Sequence, residues 1–114
     1  MAPLQAITYR GRTVAVCGGR RFLLADELLE RPPGDPELTF IVFMCAYALD
    51  VGAGELPGPY DETDARRYAR ACLIPDELLE RADLDHSRAA RALGLPVEEL
   101  CAAQREHTAA TRAW

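Results

Sequence analysis

The chain contains no lysine, no asparagine, a single serine and no cysteine pair spaced C-x-x-C. Each absence closes a route. Without lysine there is no G-K-[ST] phosphate loop, so Gly18-Gly19 followed by Arg20-Arg21 reads as a turn. The lone Ser87 adjoins His86, and sequence neighbours do not by default form a nucleophile–base pair. Without C-x-x-C, zinc-ribbon and thioredoxin-like readings fail. Cys17, Cys45, Cys72 and Cys101 then read as buried free thiols, three of them on apolar helix faces. His86 and His107 share no metal-ligand spacing with each other or with a cysteine, which leaves surface or interhelical packing. No charged region followed by an apolar stretch is seen at Met1 to Gln5, and a cytoplasmic location is the default expectation.

What is present is apolar and acidic. An apolar share of 49% over 114 residues suits one domain with a real core. All 13 basic residues are arginine, which with the abundant alanine reads as codon bias. The net charge of −5 weighs against nucleic acid or an anionic membrane as a main partner.

The longest apolar run, Phe40 to Leu49, lies inside Asp35 to Gly52, around which the chain is organised. Asp35 suits an N-cap, Pro36 the first helical position, and Gly52 a left-handed stop. The segment is apolar on every side, which predicts a helix buried on every side. It is too short for a bilayer, which needs about 20 apolar residues.

Upstream, Leu4–Tyr9, Arg12–Cys17 and Arg20–Ala25 predict three short strands, with turns at Arg10-Gly11 and Gly18-Gly19. A small antiparallel sheet over 1–25 follows. Asp26 to Arg31 is a helical turn or a loop extension, stopped by Pro32-Pro33-Gly34. Downstream, Gly52 to Tyr60 must be a loop. A helix over 61–74 carries the stripe Ala65, Tyr68, Ala69, Cys72 and Leu73. Over 76–111 lie a short helix at Asp76, another capped by Asp85 and stopped by Gly94, and a last one opened by Pro96. That last helix has the stripe Val97, Leu100, Cys101 and Gln104, with fraying expected from His107 and docking open to Trp114. The hexapeptide DELLER occurs at 26–31 and 76–81, and nothing around it repeats. The fold class is α+β. The last two helices loosely match a helix-turn-helix, but Glu98 and Glu99 at the start of the second would face DNA phosphates.

Asp64 to Pro75, DARRYARACLIP, resembles the E-A-x-x-F-A-x-x-L-L-x-P signature of the ImmA/IrrE family of zinc metallo-endopeptidases. Ala89 to Leu100 resembles a further segment of that family, and the similarity extends over roughly residues 12 to 105. The resemblance implies a zincin-like minimal domain in which a buried helix carries H-E-x-x-H. Aligned by its place before DARRYARACLIP, that motif falls on Phe43 to Tyr47. Phe43 and Tyr47 then stand where the family has its two histidines, and Met44 where it has the general base. Asp64, or less well Glu62, matches the third, acidic ligand. An alternative register sets Phe22 to Glu30 on the same family segment. Asp26 and Glu30 replace the histidines there and Glu27 keeps the base, a carboxylate set closer to a magnesium or calcium site.

The expectation is therefore a pseudo-metallopeptidase with no catalytic residues and no cofactor, acting by protein–protein contact. Family resemblance implies a helix-turn-helix transcriptional regulator as the kind of partner. Two rivals stand beside it: a hydrolase using Asp26, Glu27 and Glu30 with a metal, and a structural or toxin–antitoxin-type interaction subunit. Self-association is left open.

Overall fold

Tyr9-Arg10-Gly11-Arg12 shows how the local sequence sets the architecture. The computed structural model describes residues 4–112; the expectation for Trp114 lies outside them. Arg10 and Gly11 both have positive φ, 55° and 79°. That pattern makes the tight hairpin whose twist matches its strands. It joins β1 (Gln5–Tyr9) to β2 (Arg12–Gly18). The next hairpin leads into β3 (Arg21–Leu24), giving the sheet order β1-β2-β3, antiparallel throughout. Its loop is Gly19-Arg20, one residue later than expected, because Gly18 pairs with Arg21 and only Gly19 takes a positive φ, 59°.

Ile7 pairs with Ala15 but Thr8 with Thr13, so Val14 is a bulge. The bulge breaks strict alternation, and the adjacent Val14 and Ala15 are both buried. Ile7, Tyr9, Ala15 and Cys17 face the core, joined by the half-buried Phe22 and Leu24.

After the short helix α1 (Asp26–Leu29) comes α2 (Pro36–Gly52). Its start is as expected: the Asp35 carboxylate accepts from the Leu38 N–H at 3.0 Å. Its end is not. Gly52 is helical, and the residue with positive φ is Gly54, at 80°. The helix lies between the sheet and α3 (Glu62–Leu73), and no residue from Pro36 to Val51 is exposed. Asp61 caps α3 by accepting from the Asp64 N–H. The expected α3 stripe holds at Ala65, Tyr68, Ala69 and Leu73, but Cys72 is exposed.

Three further helices build a second, smaller core: α4 (Asp76–Leu79), α5 (His86–Leu93) and α6 (Val97–Arg112). Leu79, Leu95, Leu100 and Ala103 are its centre. Gly94 ends α5 in the left-handed conformation, as expected. Fraying from His107 is not found, since α6 runs on to Arg112 and His107 is half-buried. Two cores side by side make an extended body. The radius of gyration is 14.9 Å, where a compact chain of this length would give roughly 13 Å.

Candidate functional site

Phe43, Met44 and Tyr47 occupy the middle of α2, and packing accounts for all three. Met44 is fully buried, and Phe43 packs against the same core. Tyr47 sits at the edge of that core with its ring 5.4 Å from Tyr68 and 6.0 Å from Tyr60. Burial, then the negative charges of Asp64 and Asp61, push its phenol up. The fold therefore brings Tyr47 near Asp64, while Asp64 itself is exposed in the first turn of α3 and Glu62 is half-buried beside it. A zinc ion does not fit these residues. A phenyl ring and a thioether offer no hard donor, and a phenol held protonated is a poor ligand.

The second register fares no better as a metal site. Glu27 is salt-bridged to Arg12 at 3.0 Å, while Asp26 and Glu30 are exposed at the two ends of a one-turn helix. Among the described residues, no three His, Cys, Asp or Glu side chains converge as a metal-binding group.

One cluster went unseen in the sequence. Glu99 is fully buried. Its Oε2 accepts from Tyr9 Oη at 2.9 Å and from Arg66 Nη2 at 2.7 Å. Its Oε1 accepts from Arg70 Nη1 at 2.8 Å. The second Arg70 Nη donates to Glu106, also at 2.8 Å. Three elements, β1, α3 and α6, are thus fastened at one carboxylate. The expectation that Glu98 and Glu99 would both face outward is corrected: Glu98 is on the surface, paired with Arg10 at 2.8 Å, and Glu99 points inward. The available signal was spacing. Arg66 and Arg70 are four apart on α3, and Glu99 and Glu106 are seven apart on α6, so each pair shares a helix face.

The cysteines divide. Cys17 and Cys45 are buried and adjacent, whereas Cys101 is half-buried and Cys72 exposed, which corrects the uniform expectation of buried thiols. The contact with Cys17, then burial, keeps the Cys45 thiol protonated. His86 packs between helices, its Nε2 3.0 Å from Gln104 Oε1, while the Gln104 amide donates to the Leu79 carbonyl.

On the sheet face turned away from α2, Ala6, Val16 and Leu23 form one cross-strand row. Leu4 and Leu23 are 76% and 77% exposed, the highest among the large apolar residues described. They line a groove of about 800 Å³ rimmed by Arg20 and Arg21. No helix among the described residues is long and apolar enough to cross a membrane. No family model, curated protein or solved structure matches the chain.

Proposed function

We propose that this chain is a non-catalytic, ImmA/IrrE-like protein that acts through protein–protein contact, with a transcriptional regulator as the partner class. One observation carries the proposal. The α2 positions that the resemblance assigns to ligands and base hold core-filling side chains, Phe43, Met44 and Tyr47. The order of a small sheet, a buried helix and then the DARRYARACLIP helix supports the zincin-like comparison. The half-buried Tyr60 and Tyr68, which cover the core residue Tyr47, form the contact face with the exposed Asp61 and Asp64. Aromatic rings supply area and the acids favour a basic segment of the partner.

Native mass spectrometry in zinc-containing buffer tests the non-catalytic half. The expected species is the metal-free 12.6 kDa chain. One zinc per chain, lost in Asp64→Ala, would falsify it. For the contact face, Tyr68→Ala is expected to weaken capture of a basic peptide by about tenfold, the usual scale for an aromatic anchor. Unchanged capture would remove Tyr68 from the face.

A further inference from the structure

β3 is an edge strand, blunted only by its length of four residues and by the exposed Arg21 at its start. Among the described residues no strand pairs with its outer side. It carries no proline and no lysine, and its central outward side chain is the exposed Leu23.

The ladder fixes which backbone groups are free. Ala25 N–H donates to the Val14 carbonyl at 2.9 Å. In an antiparallel pair, hydrogen-bonded and non-hydrogen-bonded positions alternate. With Val16 opposite Leu23, Leu23 is therefore bonded to β2, and the N–H and C=O groups of Phe22 and Leu24 point to the open edge.

We infer that β3 pairs with β3 of a second copy, antiparallel, about a twofold axis at Leu23. Three features agree with this register. Leu23 meets Leu23 on the outer face, and Phe22 meets Leu24 on the core face, so like faces join; a shift by one residue would set Phe22 against Leu23 and mix the faces. Leu23 becomes a non-hydrogen-bonded pair flanked by Phe22–Leu24 pairs, whose free backbone groups are the ones that face the edge. Charge matches as well. β3 is entered from Arg20 in the turn and left through Asp26 at the start of α1, both exposed, so an antiparallel pair brings the basic end of each strand towards the acidic end of the other. The twofold repeats this at both ends of the pair. The row Ala6–Val16–Leu23 then continues into its twin, giving one six-stranded sheet with a continuous apolar band. The contact is isologous and closed, so it stops at two chains. Tyr47 and Asp64 take no part in it, and its failure leaves the proposed contact face untouched.

Sedimentation of the full chain across a concentration series tests the pairing. The mass is expected to rise from 12.6 kDa towards twice that value. Leu23→Asp puts two like charges at the twofold on an exposed position, and is expected to raise the dissociation constant about tenfold or more with the fold intact. Arg20→Asp weakens the dimer in the same sense, and Arg20→Asp combined with Asp26→Arg restores it. A chain that stays monomeric at every concentration overturns the pairing and leaves the edge to a foreign strand. So does a dimer indifferent to Leu23→Asp, or one that the double charge reversal fails to rescue.

Discussion

Glu99 is the residue on which the two cores depend. Its carboxylate is fully buried and meets Tyr9, Arg66 and Arg70 at 2.7–2.9 Å. Desolvating such a group costs several kcal/mol, and the two guanidiniums offset much of that only while the geometry holds. The Nε atoms of Arg66 and Arg70 are buried without a partner, so the cluster is an incomplete one. It fixes where α6 sits against α3 and β1 more than it adds net stability. Removing one partner is a different matter, because the others stay buried. Glu99→Gln keeps the shape and deletes the charge, and is expected to lower unfolding stability by about 3 kcal/mol. Tyr9→Phe deletes one bond to a charged acceptor and is expected to cost about 1.5 kcal/mol. Urea denaturation followed by helix ellipticity reads both. A Glu99→Gln variant as stable as the parent would show that the carboxylate is not what fastens the helices. Residue type alone hid this cluster: a glutamate next to another glutamate in a first helical turn reads as solvated. Only the meeting of two helix faces distant in sequence makes Glu99 internal.

The two copies of DELLER separate what an element owes to its own sequence from what it owes to its neighbours. Both form one helical turn, Asp26–Leu29 and Asp76–Leu79, with closely similar caps: Glu30 at φ −85° and Glu80 at φ −83°. Local sequence therefore sets the turn. Burial is set elsewhere. In the first copy Leu28 is fully buried and Leu29 is 66% exposed, whereas in the second Leu79 is buried and Leu78 only half-buried. Alanine substitutions should cross over. Leu28→Ala and Leu79→Ala are each expected to cost about 2–4 kcal/mol, and Leu29→Ala less than ~0.5 kcal/mol. Thermal or urea unfolding of the variants checks the order, and equal costs for Leu28→Ala and Leu29→Ala would mean that α1 is not docked as described. The same division explains what was legible. The three strands, the Asp35 and Asp85 caps, the Gly94 stop and the burial of α2 rest on turn chemistry, capping and hydropathy within a few residues. The Val14 bulge and the exposed Cys72 depend on what packs alongside, and periodicity carries no record of that. At the candidate site, the positions Phe43, Met44 and Tyr47 could be named from the place of α2 before DARRYARACLIP. The partners of Tyr47 could not, because Tyr60 arrives from a loop.

Across the whole molecule, the four tyrosines share one bias. Burial, then the Glu99 carboxylate, pushes the Tyr9 phenol up. Burial, then Glu62, does the same to Tyr60, and burial with Asp64 and Asp61 to Tyr47. At Tyr68 the leading cause is the neighbouring Cys72, followed by burial. A raised acid favours the neutral form in the fold. Below the unfolded-state value of about 10 both states hold the proton and the full stabilisation is present. As pH rises past that value, the unfolded chain releases protons that the native chain retains, so stability falls and continues to fall until the native groups ionise. The acidic surface adds to this, since the net charge of −5 becomes more negative with every proton lost. Tyrosinate absorbance and helix ellipticity, recorded together along an alkaline titration, separate the groups. Tyr47 and Tyr68, near the surface, are expected to ionise first, displaced above pH ~10 with the helices intact. Tyr9, bonded to buried Glu99, and Tyr60, whose hydroxyl is buried without a partner, are expected to ionise only as ellipticity is lost. Two phases, with the second coincident with unfolding, are the expected record. A single phase of all four near pH ~10 with ellipticity unchanged would mean that Tyr9 is open to solvent and that β1, α3 and α6 do not close over it. Tyr9→Phe assigns the signal: it removes amplitude from the second phase only.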